Sequence, residues 1–249
     1  MLKLVNSNLT WGINPVLFRI GGFEVESYSF FVCLGVIVGS IIYLYLSRRQ
    51  KSDSASSQYI LLAAIVGGAL GAKLPVLIEN YRAIVTNWPD VSLLLSGRTI
   101  VGGIIAVELT KRMLNITAKQ GNIFVPALSA GFMLGRIGCF LRGCCFGKPT
   151  SLPFGADFGD GVLRHPTQIY ESVFFLVWLI ISTTNYKKFL EGRLFQYFIL
   201  SYFVFRFFVE FLRSEPIFWH GLTLAQIAAI PVIGYYVYIL FKKEGLYGK

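Results

Sequence analysis

Long apolar stretches, each closed by a charged or polar turn, divide the chain from residue 27 onward. A helix rises 1.5 Å per residue, so about twenty apolar residues cross the ~30 Å hydrocarbon layer of a bilayer. Seven such windows can be placed: Ser27–Leu46, Tyr59–Ile78, Val91–Thr110, Ile123–Leu141, Gln168–Thr184, Leu194–Leu212 and Thr223–Phe241. Ser96-Gly97-Arg98 interrupts the third, which predicts a short helix reached through a re-entrant arm. Ahead of the first window, "NPVLFRIGGFEVESY" alternates apolar and polar residues around Gly21-Gly22. That pattern predicts a short hairpin, an interfacial N-terminal arm over residues 1–26; an irregular lead-in is the alternative. Residues 27–249 then form one all-α transmembrane domain of about seven helices, since no linker or low-complexity tract divides them.

Composition agrees with that pattern. Of 249 residues, 55% are hydrophobic and 14% charged, against about a quarter charged in soluble domains. The net charge of +10 is placed by topology. Arg48, Arg49 and Lys51 follow the first window, Lys111, Arg112 and Lys119 the third, Lys187, Lys188 and Arg193 the fifth, and Lys242, Lys243 and Lys249 the last. The alternate loops are near charge balance. The positive-inside rule therefore predicts the N-terminus outside and the C-terminus in the cytoplasm. Basic residues on cytoplasmic loops also account for the charge without nucleic acid, for which no basic face with interleaved aromatics is present. Residues 1–26 carry no cleavage pattern, so insertion is expected to rely on the first span.

With this orientation the ionisable residues at membrane depth converge on the outer half. Lys73 lies near the outer end of the second window, Arg136 and Arg142 near that of the fourth, and His165, Tyr170 and Glu171 at the outer start of the fifth. Tyr202, Arg206, Glu210 and Arg213 recur at helical spacing and share one face of the sixth. Such residues mark a polar cavity or pair with one another. An internal lock such as Arg206 with Glu210 is one reading. The excess of Lys73, Arg136, Arg206 and Arg213 over Glu171 and Glu210 favours another, an anionic ligand, because guanidinium matches phosphate through paired hydrogen bonds. A phospholipid head group is the anion at hand.

His165, before Pro166 in "RHPTQIYE", is read either as a bond to the start of the fifth helix or as a general base. His220 lies in a short loop and carries no such reading. Cys33 is ordinary apolar packing. Cys139, Cys144 and Cys145 in "GRIGCFLRGCCFG" are open to three readings: structural thiols or a Cys139–Cys144 bridge, a nucleophile beside Arg136 and Arg142, or a metal site. Their spacing matches no zinc pattern and lacks a fourth ligand, so no metal is expected.

These motifs in this order resemble the prolipoprotein diacylglyceryl transferase family of bacterial inner membranes. The likeness runs through "NPVLFRIGGFEVESY", "VGGI", "GRIGCFLRGCCFG", "RHPTQIYE", "YFVFRFFVEFLRSEP" and "LAQIAAIP". It implies transfer of the diacylglyceryl group of phosphatidylglycerol to a lipobox cysteine with release of glycerol phosphate, at a site opening toward the outer half of the membrane and without a cofactor. It places Arg136 on the lipid phosphate, Arg206 and Tyr202 as the essential pair of the sixth span, and Glu210 and Arg213 beside them. Arg206, Arg213 and Lys73 are expected to join Arg136 on the phosphate, and Glu210, Tyr170, Glu171 and the Gly102-Gly103 pair to support the site. Two positions depart from the family pattern. Val101 stands where its His-Gly-Gly motif has histidine, and Cys139 and Cys144 stand where asparagine and an acidic residue are found. Valine accepts no proton, so His165, Cys139 or Cys144 is expected to take over proton handling. The alternatives are a paralogue with another acceptor or a cysteine-linked intermediate, and a lipid binder or transporter without catalysis.

Overall fold

The computed structural model describes residues 13–49, 54–71, 113, 121–184 and 193–247. The third window, Lys73, Val101, Gly102 and Gly103 lie outside the described residues. The chain divides into two compact units, residues 1–39 with 121–249, and residues 40–120.

The Gly21-Gly22 turn does form a hairpin. Strands β1 (Val16–Ile20) and β2 (Phe23–Glu26) pair antiparallel, and both glycines take positive φ, 53° and 87°, as the tight reversal requires. The hairpin runs straight into helix α1 (Ser27–Arg49), whose first residue is tied back by Ser27 N to the Pro15 carbonyl at 2.8 Å and by Ser27 Oγ to that of Asn14. Arg48 and Arg49 end α1, where cations meet the exposed carbonyls of the last turn.

Helix α3 (Gly121–Arg142) packs on α1 through small residues. A Cβ on Gly35 would lie 2.7 Å from the Gly131 carbonyl oxygen, one on Gly39 3.0 Å from that of Ala127, and one on Gly138 2.8 Å from Phe31 Cβ. These backbones are in contact, the usual device where lipid supplies no hydrophobic drive between helices. Gly135 differs: among the described residues nothing lies within 4 Å of its Cβ position. Of the glycines flanking Arg136, two close a helix seam and the third leaves space.

Helices α4 (Thr167–Thr184), α5 (Leu194–Val209, extended by a 3-10 turn over Glu210–Leu212) and α6 (Leu224–Tyr247) complete this unit. Aromatic rings join α3, α4 and α5: Phe132 on Phe175 at 5.2 Å, Phe174 stacked on Phe205 at 4.6 Å, and Trp178 edge-on to Phe198 at 5.4 Å. The start of α6 is a capping box. Thr223 Oγ1 accepts from Gln226 N at 3.4 Å and Gln226 Oε1 accepts from Thr223 N at 2.9 Å.

In the other unit, the second half of α1 packs with α2 (Ser54–Gly71). Tyr43 and Ile60 are buried there, and the Ser47 and Ser57 hydroxyls bond at 2.5 Å.

Among the described residues, five helices are long and apolar enough to cross a membrane: Ser27–Arg49, Gly121–Arg142, Thr167–Thr184, Leu194–Leu212 and Leu224–Lys242. Large apolar side chains stand outward on them, Ile37, Ile41, Val177, Ile180 and Phe208 among them, as a lipid-facing surface requires and a water-facing one would not. Two short hairpins top the unit, β3 (Ala156–Asp157) with β4 (Leu163–Arg164), and β5 (Ile217–Trp219) with β6 (Leu222–Thr223).

Candidate active site

Glu171, fully buried near the start of α4, gathers the cations of two other segments. Arg136 of α3 places Nη2 2.7 Å from its Oε2, Arg206 of α5 donates from Nη1 to its Oε1 at 3.2 Å, and Arg213 holds Nη1 3.5 Å from the same oxygen. A second buried carboxylate, Glu210, takes the other side of the cluster. Arg206 Nη2 lies 2.7 Å from its Oε2, Arg213 Nε 3.6 Å away, and Thr223 Oγ1 donates to Oε1 at 3.0 Å. Arg213 also reaches the half-exposed Glu215 at 2.7 Å. Tyr202 is buried between these groups and the rings of Phe174 and Phe175, within electrostatic reach of Glu171, Arg206 and Arg136.

Among the described residues three guanidinium groups thus share two buried carboxylates, one positive charge in excess before the half-exposed Glu215 is counted. The internal lock is formed, with Arg206 on Glu171 and Glu210. Arg206 spends its two terminal nitrogens on Glu171 and Glu210. Arg136 has one described partner, Glu171, and that only through Nη2, so among the described residues its Nε and Nη1 are free to donate. It stands beside the open space at Gly135 with 18% of its side chain accessible. An anion meeting Arg136 there meets a positioned, partly desolvated donor pair.

The loop after α3 is held firmly. Gly143, with φ 74°, ends the helix in a Schellman motif: Gly143 N donates to the Phe140 carbonyl at 2.9 Å and Cys144 N to that of Cys139 at 3.1 Å. The carbonyl of Cys144 accepts from Gln168 Nε2 at 2.5 Å, and that of Cys145 from Thr167 Oγ1 at 2.8 Å and Arg213 Nη1 at 3.3 Å. Gly147 then bridges to Arg213, donates to the His165 carbonyl at 2.8 Å, and leaves no room for a side chain against Leu212, His165 and Thr167. His165 Nδ1 lies 3.1 Å from the Tyr170 hydroxyl.

Cys139, Cys144 and Cys145 are all free thiols, so the Cys139–Cys144 bridge is not formed. Their three Sγ atoms nevertheless lie within 4.8 Å of one another. Hydrogen bonds from Cys139 and Cys144, with Arg213 and Arg136 beyond, hold the Cys145 thiol below its ordinary range, and the same sharing with burial pushes Cys144 up.

Every sequence-predicted residue inside the described chain belongs to this one region: Arg136, Cys139, Cys144, His165, Tyr170, Glu171, Tyr202, Arg206, Glu210 and Arg213. Sequence reasoning missed Thr223 and Gln226, which support Glu210 from α6, although Thr-x-x-Gln before an apolar run is a legible cap signal. It also missed Thr167 and Gln168, whose side chains reach the cysteine loop and which nothing local marks.

Long apolar helices around a buried, arginine-rich carboxylate cluster define a multi-pass membrane protein with an internal charge cluster. The chain belongs to the prolipoprotein diacylglyceryl transferase family: the model so described matches residues 15–242. It is 35% identical over 219 residues to the phosphatidylglycerol–prolipoprotein diacylglyceryl transferase of Clostridium tetani, covering 82% of this chain and 87% of the relative. The Finegoldia magna protein of that name is 31% identical over 244 residues, covering 93% and 97%, and the Wolbachia one from Drosophila simulans 33% over 255 residues, covering 91% and 94%.

Proposed function

We propose that this chain moves the diacylglyceryl group of phosphatidylglycerol onto the cysteine thiol of a prolipoprotein. The observation that carries the reading is Arg136, a guanidinium anchored to a buried carboxylate on one side and open on the other, in a chain whose relatives bear that activity in their names.

In this reading the phosphate of the donor lipid meets Arg136. Arg206 and Arg213 set the field around it and hold Glu171 and Glu210 in place, and Tyr202 shapes its surroundings. The acceptor sulfur attacks the terminal glyceryl carbon. A C–S bond forms, the C–O bond breaks, and the electron pair leaves on the phosphate oxygen of glycerol phosphate. Arg136 faces charge that grows on that oxygen, so its stabilisation is larger in the transition state than in the ground state. The acceptor thiol gives its proton to His165, which Tyr170 orients, and that proton passes on to the glycerol phosphate or to solvent. Cys139 and Cys144 stay out of this path, since Cys139 is buried and the Cys144 Sγ is engaged with the Cys139 carbonyl at 3.5 Å.

The same reading sets seven spans in a bacterial cytoplasmic membrane, N-terminus out and C-terminus in. Its site opens toward the outer half, and the β1–β2 hairpin and a re-entrant arm before the third span lie at the interface. The lipobox, the segment around the acceptor cysteine, is the second substrate.

The test is head-group release from labelled phosphatidylglycerol by the purified protein in lipid, with and without a lipobox peptide. Peptide-dependent glycerol phosphate together with a lipidated peptide is the expected result. Release without peptide modification would transfer the reading to another acceptor, and no release would overturn it.

A further inference from the structure

We infer that Cys139, Cys144 and Cys145 form a three-thiolate site for one soft d10 metal ion, Cu+ or Zn2+, at the C-terminal end of α3. Three sulfurs sharing an ion at about 2.3 Å stand roughly 3.8–4.0 Å apart. All three Sγ atoms already lie within 4.8 Å of one another, so closing the site takes side-chain adjustments of about 1 Å.

The backbone holds that arrangement in advance. The Schellman motif fixes Cys144 above Cys139, and the Cys144 and Cys145 carbonyls are tied to Gln168, Thr167 and Arg213. Cys145 itself takes φ 64°, a left-handed conformation uncommon for a residue with a side chain, and it is kept there by those bonds. Access and burial are graded: Cys145 is exposed, Cys144 part-buried and Cys139 buried, so an ion can arrive from outside and finish in contact with a buried ligand.

Thiolate donors select soft ions. No carboxylate, histidine or fourth cysteine joins the group among the described residues. Three thiolates complete a trigonal Cu+ site, whereas Zn2+ would take a water as its fourth ligand. Binding changes no oxidation state. Each ligating thiol releases one proton to solvent, which leaves a net charge of −2 on a Cu+ site or −1 on a Zn2+ site. Arg213 and Arg136, both within electrostatic reach of Cys145, oppose that charge. The ion would clamp the end of α3 to the segment that carries Gly147 to Arg213 and His165.

The test of this site does not use the transfer activity. The full chain is purified in detergent, reduced, stripped of metal and titrated anaerobically, with Cu+ against a chromophoric chelator in one arm and Zn2+ against a zinc indicator in the other. One equivalent withdrawn from the chelator in either arm, with thiolate-to-metal absorption in the Cu+ arm, is expected; the arm identifies the ion. Cys145→Ser, an exposed position that spares the fold, should weaken binding at least about tenfold, the loss already typical of removing an outer-shell partner. Cys33→Ser should leave it unchanged. No withdrawal in either arm, or undiminished binding by a Cys139→Ser/Cys144→Ser/Cys145→Ser variant with wild-type helical content and elution, would overturn the proposal.

Discussion

Arg136 Nη2 sits 2.7 Å from Oε2 of Glu171, and among the described residues Glu171 is the carboxylate that Arg136, Arg206 and Arg213 share. Remove the arginine and Glu171 keeps Arg206 and Arg213. Remove the glutamate and three cations lose their common partner. The two halves of this pair are therefore expected to fail differently.

Arg136→Gln should fold and lose activity. The loss should fall on kcat, by about 10²–10³-fold, the range seen when a single positioned donor to a developing anion is deleted. Arg136→Lys should recover little of it, because a point charge does not reproduce the guanidinium fork. Head-group release kinetics beside thermal unfolding in detergent would check both. An active glutamine variant would remove Arg136 from the phosphate.

Glu171→Gln should be a stability mutant first. Breaking a buried pair from one side leaves charge uncompensated, typically at a cost of about 3–5 kcal/mol. A lower melting temperature and reduced yield of folded protein are expected, and an unchanged melting temperature would mean that water already screens the cluster.

Thr223→Val tests the support from α6. It deletes a capping hydroxyl and a donor to Glu210 while preserving shape. The expected loss is about 1–2 kcal/mol, measured by thermal or denaturant unfolding, with Gln226→Ala producing a loss of similar size through the other half of the box.

The β3–β4 hairpin should answer to pH. The bond from Arg164 holds the Asp160 carboxyl below the usual carboxylate range. A group with a depressed folded value stabilises above its unfolded value and loses that contribution as pH falls through the folded one. The loop should thus stay protected at about pH 5 and open progressively as pH falls from the ordinary carboxylate value of about 3.9 through the lower folded one. Amide exchange across Asp157–Leu163 would show it, and Asp160→Asn should abolish the difference between the two conditions.

Much of this was readable in the residues. Apolar windows of helical length located the described spans, and Gly21-Gly22 located a real hairpin, because hydrocarbon thickness and backbone sterics act on local sequence. The spacing of Tyr202, Arg206, Glu210 and Arg213 brought the right side chains together even though the α-helix tightens to a 3-10 turn at Glu210. What local pattern cannot carry is the division of labour inside the cluster. That Arg206 is spent on Glu171 and Glu210 while Arg136, among the described residues, meets Glu171 alone depends on which helices meet at Glu171, and that is decided by packing. The cysteines show the same limit. Their spacing matches no metal motif, yet a helix cap and two side chains from α4 fold them into one cluster.

The glycine seam between α1 and α3 bears on how a two-tailed lipid reaches its reaction. With Gly35 against Gly131 and Gly39 against Ala127, backbone touches backbone over successive turns. No acyl chain can slide sideways through that wall. The door for the lipid has to be cut elsewhere, and a bulkier residue set into this seam would jam the frame rather than widen the doorway.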